Sequence, residues 1–309
     1  MNNSSTQILY MAHGALLAVA LIYALNYFIA KFVMDGFIGP FGMVAIRSIF
    51  ATSFFILVSK LWIKEKIQSR ADYYRLALCG LFGSALNQLL FFKGLSMTVE
   101  INASVLMITS PVFVFIIASL LRTEHITPIK IVGLIVSFGG ALMLILGGRS
   151  LSFGSETLAG DLMVVMNASA YGVYLVLVKP LMHKYHPMTI VKWVFIFGAI
   201  IIIPVGTPEL LEVDWANLSQ DSILGAGYIV LFTTISAYSL NAFALKQVSP
   251  SAVGIYIYLQ PVLVAILSVF WAANDLTLEK VLYMLVVFSG VFLVTYRKKT
   301  LQTTSDKRG

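Results

Sequence analysis

Residues 245–264, LKQVSPSAVGIYIYLQPVLV, repeat the pattern of residues 95–114, LSMTVEINASVLMITSPVFV. In this alignment Pro261 matches Pro111, and valine follows each proline at the first and third positions. Each proline interrupts a long apolar run that also carries several polar side chains. Because a proline removes a helical hydrogen bond, both runs are predicted to be kinked helices.

The repeat extends beyond these stretches in both directions. Downstream, Gly140 matches Gly290 at the same offset. Upstream, YALNYFIAK at residues 23–31 matches YGVYLVLVK at residues 171–179 at a nearly equal offset. The chain therefore consists of two similar halves.

The composition indicates a membrane protein. Of 309 residues, 59% are hydrophobic and 11% are charged, which is about half the charged fraction of soluble proteins. A run of about 20 apolar residues can cross a bilayer as a helix. Ten such runs are predicted, near residues 8–33, 40–60, 74–94, 100–121, 128–147, 158–179, 188–206, 222–245, 250–272 and 278–296. We therefore expect an all-α polytopic membrane protein with ten transmembrane helices.

The loop charges predict the orientation of these helices. Lysine and arginine are concentrated in every second predicted loop and in the C-terminal tail, whereas aspartate and glutamate collect in the other loops. The positive-inside rule then places both termini in the cytoplasm. The net charge of +7 is explained by a basic face against the lipid surface, and nucleic-acid binding is not expected.

Ten helices divide into five in each half. Because five is odd, the second half must cross the membrane in the opposite sense to the first. The predicted units are a first repeat at residues 8–147, a second repeat at 158–297 and a cytoplasmic tail at 298–309. Inverted repeats of this kind are typical of secondary transporters, whose substrate site lies between the repeats.

Six predicted helices carry amide, hydroxyl or tyrosine side chains near the middle of the membrane. Many of these side chains are three or four residues apart, so that they share a helix face. Amides and ring faces suit an amphipathic solute, although the same groups also join membrane helices to one another. The predicted substrate-binding residues are Tyr23, Asn26, Gln88, Asn102, Ser110, Tyr171, Tyr174, Tyr238, Asn241, Tyr256 and Gln260.

Pro111 and Pro261 are predicted to act as hinges in the fourth and ninth helices. A proline leaves the carbonyl four residues earlier without its helical partner. The carbonyls of Met107 and Ile257 are therefore expected to be available to a ligand or to water.

Charged residues near the outer ends of the helices are predicted to form a vestibule. This group contains Arg47, Lys93 and Glu100. Arg47 is expected to pair with Glu100 or to orient a substrate carboxylate, and Lys31 is expected to extend toward the lipid surface. No carboxylate occupies the middle of a span, so facilitated diffusion and proton-coupled export both remain open. The candidate proton carriers are Glu100, Asp161 and His13.

Each half has a polar segment that leads into Pro-Val, INASVLMITSPVFVF in the first half and GIYIYLQPVLV in the second. With these segments the two halves resemble the paired EamA-type domains of the drug/metabolite transporter superfamily. The resemblance covers about residues 8–297. It implies a ten-helix bundle in a bacterial cytoplasmic membrane that exports small metabolites such as amino acids by alternating access, without a cofactor. Many relatives carry glutamate at the ends of the fourth and ninth helices. Glu124 matches the first position, whereas Asn274 and Asp275 stand at the second.

Two other classes of function remain as alternatives. A receptor or scaffold of the same fold would bind a ligand without moving it. An intramembrane enzyme would need a nucleophile with a base, or a metal set, but of four histidines only His13 lies within a predicted span, and no metal site is expected. The sequence also lacks a nucleotide-binding motif for a primary pump.

The fifth and tenth helices have almost no polar residues in mid-span and are expected to be peripheral. Gly133, Ser137 and Ala141 recur at a spacing of four, which gives a small-residue face for close helix contact. The partner of this face is expected to be lipid, the other half or a second copy of the chain, so a homodimer remains open.

Overall fold

The computed structural model describes residues 3–121, 127–146, 156–247, 250–271 and 277–295. Within them the chain forms ten helical segments and no strand, when each interrupted or partly π-helical segment is counted once. The segments are α1 (Asn3–Gly36), α2 (Pro40–Ile63), α3 (Arg70–Met97), α4 (Glu100–Leu120), α5 (Pro128–Leu146), α6 (Glu156–Met182), α7 (Pro187–Leu211), α8 (220–247), α9 (Pro250–Trp271) and α10 (Leu278–Thr295).

Seven of these segments, α1 to α4 and α6 to α8, are long and apolar enough to cross a membrane. Shorter apolar stretches lie in α5 and α9. The predicted class, an all-α polytopic membrane protein, is confirmed, while the count of ten membrane spans stays a prediction. Glu124, Asn274, Asp275 and the tail at 298–309 lie outside the described residues.

The main helix contacts join the two halves of the chain. α2 packs along α7, and α5 packs along α10. α1 packs on α8 and α9, and the equivalent helix of the second half, α6, packs on α3 and α4. This reciprocal exchange of α1 and α6 builds one hydrophobic core from both halves, so the centre of the protein lies at the boundary between the repeats.

The contact between α5 and α10 depends on glycines at equivalent positions of the repeat. A Cβ atom at Gly140 would lie 2.8 Å from the Val287 backbone nitrogen. A Cβ atom at Gly290 would collide with the backbone of Ser137. The absence of these side chains lets the two helices approach closely. The predicted peripheral helices therefore pack against each other, across the two halves.

Both halves contain a π-helical turn in the third helix, which sequence analysis did not predict. Residues 81–86 of α3 and 229–236 of α8 adopt this conformation. Residues 81–86 match residues 231–236 in the repeat alignment, so the two turns are equivalent. A π turn holds an extra residue and rotates the helix that follows, and such turns are frequent at functional sites.

The two prolines of the repeat act differently on their helices. In α4 the helix is interrupted at Ile108 and Thr109, just before Pro111, whereas α9 runs through Pro261 as a continuous helix. The Met107 carbonyl accepts one hydrogen bond, from the Ser110 hydroxyl at 2.6 Å. Because a carbonyl oxygen has two lone pairs, its availability to a ligand or to water stays a prediction.

The glycine contact can be tested with two neighbouring substitutions in α5. Gly140→Ala should lower stability by about 1–3 kcal/mol, the usual cost of overpacking, because its Cβ meets the α10 backbone. Gly139→Ala should be neutral or stabilising, because nothing lies within 4 Å of its Cβ position and alanine favours the helix. Thermal unfolding of both variants in one detergent checks this, and equal midpoints would contradict the packing.

Candidate functional site

Four predicted tyrosines converge in the interior of the protein. Tyr23 comes from α1, Tyr171 and Tyr174 from α6, and Tyr238 from α8. Their hydroxyl groups lie near one another deep in the helix bundle, and the rings of Tyr171 and Tyr174 are 5.9 Å apart between centroids. Each ring still keeps part of its surface accessible. Deep side chains with accessible surface line an internal space, which we call the aromatic chamber.

Arg47 of α2 lies beside this chamber. Its side chain is buried, with 6% of the residue exposed, and its guanidinium lies over the Phe92 ring, 5.0 Å from the centroid. It is also close to the hydroxyl groups of Tyr23 and Tyr238. Nε has no hydrogen-bond partner, and no ion pair joins Arg47 to any residue that the structure describes.

The expected pairing of Arg47 with Glu100 is therefore wrong. Glu100 forms an ion pair with Lys31 at 3.6 Å, and the Lys31 ammonium also donates to the Thr98 carbonyl at 2.7 Å. Lys31 is thus bonded inside the protein and does not simply extend toward lipid. Lys93 makes no hydrogen bond or ion pair to Arg47 or Glu100 in the described part of the chain.

Thr98 extends this polar group to a third helix. Its hydroxyl donates to the carboxylate of Asp161, which is fully buried at the start of α6. Together with Lys31 and Glu100 these residues form the outer polar group, which joins α1, the turn between α3 and α4, and α6. Two of the three candidate proton carriers, Glu100 and Asp161, therefore lie in one hydrogen-bonded group.

The third candidate, His13, lies toward the other end of α1. Its Nδ1 atom is 3.0 Å from the Tyr256 hydroxyl of α9, and Tyr256 packs against a small cluster that includes Leu16. His13 is ten residues from Tyr23, which corresponds to about 15 Å along a helix. Tyr256 is therefore separated from the aromatic chamber. Gln260, four residues further along α9, is half-buried and makes no side-chain hydrogen bond to the described residues.

Three predicted amides are buried and incompletely satisfied. The side-chain oxygens of Asn26, Gln88 and Asn102 have no hydrogen-bond partner in the described part of the protein. Asn26 lies one turn from Tyr23, and the Gln88 amide nitrogen donates to Ser84 at 3.2 Å. An unsatisfied buried acceptor is unfavourable, so each of these oxygens would gain from a hydrogen bond to water or to a solute.

The other two predicted residues differ in their surroundings. Asn241 of α8 lies within interaction range of the Tyr23 hydroxyl, at the aromatic chamber. Ser110 is buried in α4, and its hydroxyl is occupied by the Met107 carbonyl.

Several residues around the chamber were missed by sequence analysis. Phe195 and Phe55 flank Tyr238, with ring centroids 5.1 and 6.5 Å away, and Phe92 supports Arg47. Ser48, beside Arg47 in the chain, is fully buried with an unpartnered hydroxyl. Phenylalanine gives no contrast inside an apolar span, so no sequence signal marks these rings.

The helix that carries Arg47 is held at both ends by α7. At its start, the Gly42 amide donates to the Glu209 carboxylate at 2.7 Å. At its other end, the Lys192 ammonium donates to the Ser59 hydroxyl at 2.9 Å. A carboxylate at the first turn of a helix accepts from otherwise unpaired amides. These contacts fix the position of α2, and with it the position of Arg47.

The loop between α6 and α7 is fastened to the first half. The Tyr185 hydroxyl donates to Asp72 at 2.8 Å, and Lys184 pairs with the same carboxylate at 3.1 Å. The His186 amide donates to Glu65 at 2.9 Å. Burial raises the pKa of Tyr185, which keeps this phenol protonated as a donor. This cluster is a structural link between the halves and lies apart from the chamber.

The site contains no group of metal ligands among the residues that the structure describes. Its side chains instead offer ring faces, phenol and amide groups, and one guanidinium. An interior space of this kind, at the boundary between two repeats, is typical of a multi-pass membrane transporter.

Comparison with known proteins assigns the family. The model of the EamA-like transporter family matches residues 11–146 and again residues 158–296. The chain therefore belongs to the EamA-like transporter family, and it is a membrane transporter and not an enzyme.

Individual relatives agree with this assignment. A protein of Archaeoglobus fulgidus named as an uncharacterized transporter is 26% identical, and the alignment covers 93% of this chain and 98% of that protein. A WAT1-related protein of Arabidopsis thaliana is 23% identical over 96% of this chain and 85% of its own length. A solved crystal structure with 17% identity superposes with a TM-score of 0.60 and covers 96% of this chain and 97% of that chain, which shows the shared fold.

The anchoring of α2 can be tested at the end of α7. Glu209→Ala should destabilise the protein by about 1 kcal/mol, the usual effect of losing a helix-capping side chain, because the Gly42 amide loses its acceptor. Glu212→Ala is the matched control, since Glu212 is exposed just beyond the same helix. Thermal unfolding should separate the two variants, and the same midpoint for both would exclude this role of Glu209.

Proposed function

We propose that this transporter exports small amphipathic metabolites, such as amino acids, by alternating access across a bacterial cytoplasmic membrane. In this proposal both termini lie in the cytoplasm and the substrate binds in the aromatic chamber. The observation that carries the proposal is the chamber itself, which gathers Tyr23, Tyr171, Tyr174 and Tyr238 from both halves beside Arg47. Such a wall provides ring faces for an apolar body and hydrogen-bonding groups for a polar end.

Two groups of contacts on opposite sides of the chamber support alternating access. The outer polar group joins α1 to α4 and α6 on one side, and the His13–Tyr256 contact joins α1 to α9 on the other. Opening to either side requires α1 to separate from its neighbours at that end. Because α1 and α6 are packed against the opposite halves, rocking of the halves changes both ends together.

A non-transporting receptor of the same fold is the alternative. It would bind a solute in the same chamber, and its signature would be saturable binding without flux. The family names of the relatives favour transport, and measurements of binding and flux on one preparation separate the two functions.

Counterflow of radiolabelled amino acids in proteoliposomes tests the proposal. Wild type should show saturable exchange, and Tyr23→Ala should reduce it about tenfold or more, which corresponds to a lost contact of at least about 1.4 kcal/mol. Tyr10→Ala is the matched control on the same helix, because Tyr10 is 73% exposed on the outside of the bundle. Equal exchange by both variants, with equal amounts of folded protein, would remove the chamber from the transport path.

A further inference from the structure

Arg47 is a buried cation whose counter-ion is absent from the described part of the protein. Arginine stays charged inside proteins, and a buried charge without a partner carries a desolvation cost of several kcal/mol. The Phe92 ring and the nearby phenols offset only part of that cost, because they carry no formal charge. The cost of burying this guanidinium is offset if an anion binds to it during the transport cycle.

Three acidic residues, in α4, α6 and α7, are engaged elsewhere. Glu100 pairs with Lys31, Asp161 accepts from Thr98, and Glu209 accepts from the Gly42 amide. The polar groups beside the guanidinium are the neutral phenols of Tyr23 and Tyr238, and no described carboxylate forms an ion pair with it. The chamber therefore has one fixed positive charge and no described carboxylate to hold an ammonium group.

We infer that the chamber selects an organic monoanion, a carboxylate with an apolar body. This inference rests on the proposed function and narrows its substrate class. The guanidinium has five N–H donors in a planar fork, and a carboxylate accepts two of them side by side. Tyr23 and Tyr238 add hydroxyl donors next to the same position, while the rings of Tyr171 and Tyr174 provide surface for the apolar body.

The charge balance sets the order of affinity. An amine of the same size carries a positive charge into a site that already holds one, and it is rejected. A neutral alcohol gains the ring contacts but leaves Arg47 unpaired. A zwitterionic amino acid supplies the carboxylate, and its ammonium group finds only rings and phenols. A simple carboxylate therefore binds at least as tightly as the amino acid with the same body.

Four probes with one phenyl body test this order on the purified transporter at neutral pH. They are 3-phenylpropanoate, phenylalanine, phenethylamine and 3-phenylpropanol. Binding is measured as thermal stabilisation, and transport as counterflow of radiolabelled 3-phenylpropanoate with the other three as competitors. We expect 3-phenylpropanoate to bind at least as well as phenylalanine, the alcohol to bind weakly and the amine not to bind.

Substitutions of Arg47 identify the group responsible. Arg47→Met should weaken 3-phenylpropanoate binding about 10- to 100-fold, the range expected for loss of hydrogen bonds to a charged group. The same variant should keep the weak binding of 3-phenylpropanol, which shows that its chamber is folded. Arg47→Lys keeps the charge but loses the planar fork, so it should fall between wild type and Arg47→Met. Arg70→Met is the control, because Arg70 is exposed at the start of α3.

The outcomes separate the inference from the proposed function. The inference is overturned if phenethylamine binds or exchanges as well as 3-phenylpropanoate does. It is also overturned if Arg47→Met binds 3-phenylpropanoate as tightly as wild type. Both conclusions hold even if transport is observed. Saturable binding of 3-phenylpropanoate that depends on Arg47 supports the inference even if no flux occurs, and the absence of flux then refutes the transport function. If wild type binds none of the four probes, the inference is rejected for this body size.

Discussion

The fold depends on one constraint, which is that backbone polar groups within a bilayer must find their partners inside the protein. The irregular parts of the helices show how this chain meets it. At the break in α4, the hydroxyls of Thr109 and Ser110 donate to the carbonyls of Leu106 and Met107 at 2.6 Å. In the π-helical turn of α8, Thr233 and Thr234 both donate to the Ile229 carbonyl. Hydroxyl groups thus supply hydrogen bonds to backbone carbonyls where the helices are irregular.

These irregularities also explain where the sequence was informative and where it was not. Hydropathy and charge are properties of whole segments, so they predict the class of fold from composition alone, and the internal repeat follows from residues that match at a fixed offset. The site needs the rotation of each helix, and a π turn changes that rotation without a clear sequence mark. The tyrosines at positions 23, 171, 174 and 238 were predicted, with seven other residues, to bind substrate. These four lie near one another in the structure, but their role in binding stays a prediction.

The errors concern charged groups whose partners lie on another helix. Arg47 and Glu100 were paired because both lie near the outer ends of their helices. Glu100 instead meets Lys31, because α1 packs directly beside the start of α4. The distance between two charges depends on which helices are neighbours, and ten helices allow many neighbour sets. The sequence therefore predicted the inventory of polar groups better than their connections.

The exchange of α1 and α6 between the halves has a consequence for biosynthesis. α1 is made before its packing partners α8 and α9, which follow about 180 residues later, and this takes roughly 10–40 s at ordinary rates of translation. During that time the face of α1 with Tyr23 and Asn26 has no native neighbour from the second half. The first five helices are thus not a finished unit when they enter the membrane. This polar face of α1 must therefore stay shielded until α8 and α9 arrive.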